Sequence, residues 1–168
     1  QVIMHLAQLG IVKRIKNRGT VITDFSYEKL EELMMFCFQL SGFQFEELKE
    51  ARLFMELTLM PLVIRRVTPA GLEALKSNID AMEAALEDSD RADRLDREFH
   101  KTLFDICGNR TLKIFSNVID LLFRRQHRQA FLNPTAAQKS VDDHRKLLEA
   151  IKADDVDLAC AIIRSHIE

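Results

Sequence analysis

Glycine and proline are scarce in this chain, at 5 and 3 of 168 residues, and tryptophan is absent. A sandwich or barrel needs turn residues at every strand junction, so this scarcity argues against an all-β fold. Cysteine is rare too. Cys37, Cys107 and Cys160 are odd in number, widely spaced and set among apolar residues. They read as reduced core thiols of a cytosolic protein, not as a disulfide framework or a thiolate metal site. No apolar run approaches the roughly 18 residues of a spanning helix, and the N-terminus lacks the pattern of a secretory leader, so a cytoplasmic location is expected. Neither sign of charge dominates: the formal net is -2. Any attraction to nucleic acid must therefore be local.

What is abundant is Leu, Ala, Glu, Lys and Arg, with 47% hydrophobic residues, enough for a substantial helical core. Residues 1–25 stand apart. "VIMHLAQLG" reads as a short helix closed by Gly10, and "IVKRIKNRGTVIT" places β-branched residues on both sides of an Asn-Arg-Gly turn, a hairpin signal. The charges of the hairpin are all positive: Lys13, Arg14, Lys16 and Arg18. From residue 26 to 168 the 3.6-residue period holds throughout, and seven helices are expected. One spans Ser26 to Gly42. Another spans Phe45 to Val67, with a break or kink at Pro61. The third opens on Thr68-Pro69, the fourth ends at Gly108-Asn109, and the sixth opens on Asn133-Pro134. The helices at 28–40 and 45–67 carry apolar residues on more than one face, among them Met34, Phe36, Leu53, Phe54, Leu57 and Met60. A homodimer would bury that surplus.

Polar residues on apolar stripes carry the chemistry. Leu95, Asp96, Phe99, His100, Leu103 and Cys107 share one helical face, so Asp96 and His100 project together into the interior. His144 lies with Val141, Leu147, Leu148 and Ile151, and His166 with Ala159, Ile162 and Ile163. Each one alone reads as an ordinary hydrogen-bonded core residue. Three inward imidazoles and one carboxylate together are satisfied at once by a single divalent ion: zinc, nickel, iron or manganese. Each imidazole is then expected to offer its other nitrogen to a further acceptor. Arg52 sits on a stripe with Phe45, Leu48, Met55, Leu59 and Leu62. It pairs with Glu56 one turn on, or forms a fork for a ligand carboxylate. Arg125 reads as part of a solvated face. No Glu-x-x-His, Cys-x-x-Cys, His-Glu-x-x-His or Gly-x-Ser-x-Gly pattern occurs.

Several of these segments resemble a known family. "LAQLGIVKRIKNRGTVIT", "ELKEARLFMELTL", "DREFHKTLFDICGN" and "DDHRKLLEAIKADDVDLACAIIRSHI" together resemble GntR-type transcription regulators of the FadR subfamily, whose effector domain is called FCD. The resemblance spans nearly the whole chain. It implies an all-α antiparallel helical bundle over 26–168, preceded over 1–25 by the C-terminal part of a winged helix-turn-helix with a β-hairpin wing. The first two helices of that winged fold are not in this sequence. The family's metal ligands fall on Asp96, His100, His144 and His166, as in its metal-binding branch. By itself the hairpin reads as a solvated loop with incidental charges. The resemblance makes Lys13, Arg14, Lys16, Arg18 and Gly19 the DNA-contacting wing. The expected function is a non-enzymatic, homodimeric regulator that binds operator DNA and senses a small carboxylate effector through the metal and Arg52. The rival reading is a metal-dependent hydrolase or oxygenase, since an open site can activate water.

Overall fold

The computed structural model describes residues 2–8, 10–22, 44–130 and 133–168, with single positions at 34, 36, 37 and 40. The chain divides into two compact units, Gln1–Phe43 and Gln44–Glu168.

In the first unit, α1 (Val2–Gln8) is followed by β1 (Val12–Ile15) and β2 (Gly19–Ile22). Gly10 ends the helix at φ 70°, where a side chain would be strained. Its N–H donates to Ala7 O, and that of Ile11 donates to Leu6 O. The strands pair antiparallel with Val12 opposite Ile22 and Ile15 opposite Gly19. Asn17 takes φ 65° in the turn, one of the few residue types that tolerates it. The expected helix at 26–42 falls largely outside the described residues, as do the side chains of Arg125 and His127.

The second unit is a bundle of six helices: α2 (Phe45–Arg66), α3 (Pro69–Glu83), α4 (Ser89–Cys107), α5 (Arg110–Ala130), α6 (Pro134–Lys152) and α7 (Val156–Ile167). Connections are short, so sequence neighbours turn back on each other. The termini are written in the sequence. Thr68 caps α3 by accepting from Gly71 N, with Pro69 next to it. Asp88 accepts from Arg91 N, Asn133 from Thr135 N and Asp155 from Leu158 N, each supplying an acceptor for an otherwise orphaned helix donor. Gly108 closes α4 in the left-handed conformation, and the Arg66 guanidinium donates to Cys107 O at the same end.

Five helices contribute the core: Leu59, Met60 and Val63 from α2, Leu75, Ile79 and Met82 from α3, Phe99 and Leu103 from α4, Val141, Leu147 and Ile151 from α6, Ala159 and Ile163 from α7. α4 is central, packing on α2, α3, α5 and α6, so polar residues on its inward face are enclosed from several sides. No described helix is long and apolar enough to cross a membrane.

Three expectations need correction. The helix does not break at Pro61; α2 runs unbroken from Phe45 to Arg66 with Pro61 inside, its exposed position sparing the core. Met60 belongs to the core, not to surplus surface, while Phe54 is exposed and Leu53 and Leu57 are half-buried. Cys37 is exposed, and only Cys107 is fully buried, though all three thiols are free.

Candidate metal centre

Asp96 and His100 lie one turn apart on α4 because i and i+4 share a face. α6 brings His144 across from Phe99, their rings stacked at 3.8 Å between centroids and 9° from parallel. α7 brings His166 in its last turn. The structure places one ligand atom from each of the four residues within 4.8 Å of all the others. His100 Nε2 is 3.0 Å from His166 Nε2 and 3.4 Å from His144 Nε2. Asp96 Oδ1 lies 3.4 Å from His144 Nε2 and 3.8 Å from His166 Nε2.

These separations suit a shared first-row ion. Bonds of ~2.1 Å put neighbouring ligands ~3.0 Å apart in an octahedron and ~3.4 Å apart in a tetrahedron. The donor set is also right, with neutral imidazole nitrogens and a carboxylate. Burial favours the neutral form of two of these imidazoles, His100 and His144. Desolvation lowers the His100 pKa, helped by the Arg52 charge, and desolvation carries His144 well below its ordinary value.

The surroundings orient the candidate ligands. His100 Nδ1 donates to Glu56 Oε2 at 2.6 Å, which leaves Nε2 facing the cluster. Glu56 Oε1 accepts from Arg52 Nε at 2.8 Å. Burial alone would raise the Glu56 carboxyl, but His100 and Arg52 outweigh it and hold it at about 2. His166 Nδ1 faces Asp143 Oδ2 at 3.6 Å, and the Ser140 hydroxyl donates to Asp96 Oδ1. His144 departs from the expected pattern. Its Nδ1 is buried without a hydrogen-bond partner, and the Phe99 stack rather than an acceptor sets its orientation.

Arg52 is buried and makes the pair with Glu56 that was one of its two expected roles. It lies over the Phe123 ring at 5.2 Å, and keeps Nη2 buried with no hydrogen-bond partner, 4.0 Å from Asp96 Oδ2. Beside it is a cavity of about 20 Å³, lined by Arg52, Glu56, Arg97, His100, Ser116 and Asp120 among others. That is room for about one water. In the other unit, Lys13, Arg14, Lys16, Arg18 and Gly19 are all exposed on the hairpin.

Sequence reading missed Glu56 as part of the site and treated it only as a helix partner. The signal was present, because Glu56 lies four residues from Arg52 and three from Leu59 on the same stripe, and it is fully buried. Asp143, Ser140 and Asp120 were also missed.

The second unit is thus a six-helix bundle enclosing three imidazoles and a carboxylate at the meeting of α4, α6 and α7. Residues 47–168 match the FCD domain family, and the chain belongs to it as a GntR-type regulator carrying an FCD effector domain. Among curated proteins it is similar to the HTH-type transcriptional regulator LutR of Bacillus subtilis (strain 168), at 22% identity over 96% of this chain and 76% of that protein. Among solved structures it resembles Streptococcus agalactiae GntR, at 25% identity and TM-score 0.70, covering 98% of this chain and 76% of the other. It also resembles E. coli McbR/YncC, at 15% identity and TM-score 0.66, covering 98% and 77%.

Proposed function

We propose that this protein is a cytoplasmic, metal-dependent transcription regulator that senses a small organic acid. The observation that carries the reading is the convergence of four ligand atoms inside 4.8 Å at the centre of the effector domain. Asp96, His100, His144 and His166 would hold one divalent ion, with zinc and nickel the best-suited candidates. The ion would supply a Lewis-acidic anchor for an effector carboxylate. Arg52 has the remaining buried donor, Nη2, to meet that carboxylate.

The basic hairpin would contact DNA. Lys13, Arg14, Lys16 and Arg18 are exposed and free to reach phosphates, and Gly19 lets the backbone approach closely. A homodimer would present two such wings to an operator, and the effector would act by favouring one arrangement of the pair over the other. The similarity to LutR, an HTH-type transcriptional regulator, supports this reading.

The test is calorimetric. Protein stripped with a chelator is titrated with zinc and with nickel. One ion per chain, with binding lost in His144→Ala while the circular dichroism stays helical, supports the reading. A wild-type chain that takes up neither ion overturns it. In a protein carrying the complete winged helix, Arg18→Ala should weaken operator binding and reduce the salt slope by about 1.

A further inference from the structure

The cavity beside the cluster is walled by three helices, and its charges can be counted. α2 contributes Arg52 and Glu56, α4 contributes Arg97, His100 and Lys101, and α5 contributes Ser116 and Asp120. The two cations of α4 are already committed. Arg97 Nη2 lies 2.8 Å from Asp93 Oδ2 and its Nη1 lies 3.7 Å from Asp120 Oδ1. Lys101 Nζ lies 2.8 Å from Asp120 Oδ2. Two positive charges thus meet two negative ones. Arg52 balances Glu56, and metal-bound imidazoles are neutral. Asp96 contributes one further negative charge, and a divalent ion would bring the whole site to a single positive charge. Asp143 faces His166 from α6, away from the cavity, and is answered by Lys139 at 2.9 Å and Lys146 at 3.4 Å.

We infer that the site selects a small acid carrying one negative charge, and that Asp120 is the residue that turns a second carboxylate away. The inference rests on the metal-and-effector reading above. One carboxylate neutralises the loaded site. A second would enter a wall where Asp120 is only 8% exposed and both neighbouring cations are occupied. Because Asp120 holds Lys101 and, with Asp93, Arg97, an extra buried anion finds no free cation there and is left without a partner. A neutral substituent meets no such barrier, because the buried Ser116 hydroxyl on the same wall can both donate and accept. The cavity's size limits the bulk of the acid. At about 20 Å³ it admits little before Met55, Phe104, Ile119 and Phe123 have to move.

The experiment uses nickel-loaded protein and two probes, glycolate and malonate, measured by calorimetry on wild type and Asp120→Asn. Wild type should bind glycolate at least ~10-fold more tightly than malonate, and the variant should bring the two affinities at least ~10-fold closer by gaining malonate. A wild type that prefers malonate overturns the inference, as does a variant with an unchanged ratio, and either result leaves the effector reading standing. If neither acid binds the loaded wild type, the effector reading falls and takes this inference with it. Should Asp120→Asn fail to fold, the wild-type preference alone decides.

Discussion

Glu56 binds two partners at once, and that makes it the side chain most worth changing. It holds Arg52 on one oxygen and His100 on the other, at 2.8 and 2.6 Å. Glu56→Gln keeps an acceptor but removes the charge that makes His100 a stronger ligand. Metal affinity should fall by ~10- to 100-fold by calorimetry, the range for changes just outside a ligand set. An unchanged affinity would mean that His100 is oriented by packing alone. The four residues of the cluster were legible because each is a polar residue on an otherwise apolar stripe. Glu56 obeyed the same rule but was absorbed into a familiar i,i+4 pairing with Arg52. Asp143 was harder to read. Asp142 and Asp143 both precede His144, and only the bundle's geometry makes one buried and the other exposed. Asp120 follows no stripe in the sequence reading, since its role depends on where α5 lands against α4.

Helix ends were the most readable elements, because caps are local chemistry. Thr68-Pro69, Gly108 and Asn133-Pro134 act where the sequence placed them. Of the break or kink expected at Pro61, the break does not occur, because α2 is anchored on both sides of it by Leu59, Met60, Val63 and Ile64 in the core. Gly108 permits a clean measurement. Its φ is 67°, yet a Cβ there would meet nothing closer than Arg66 Nη1 at 3.8 Å. The cost of Gly108→Ala is therefore almost purely backbone strain, about 1–2 kcal/mol in a urea melt. A loss well beyond that range would show that the α4 terminus has contacts an alanine disturbs.

For the molecule as a whole, burial of neutral imidazoles makes the metal-free fold sensitive to acid. The folded pKa values of His100 and His144 lie below the ordinary 6.5, so the unfolded chain takes up protons that the folded chain refuses. The stability they allow is complete above about pH 6.5 and is lost as pH falls below it. Metal-free protein should therefore melt at a lower temperature at pH 5.5 than at pH 7.5, and a flat profile would show that other groups compensate. The ligands' order along the chain has a separate consequence. His100 and His166 are 66 residues apart in sequence and 3.0 Å apart in space. An ion gripping both would close a long loop in the way a covalent staple does, restricting the open chain as well as holding the closed one. The strand of that loop easiest to release is α7, the shortest helix of its unit at 12 residues. Without metal its amides should exchange with deuterium ahead of those of α4. With metal they should slow toward the rate of the whole unit, turning a fraying end into part of one cooperative fold.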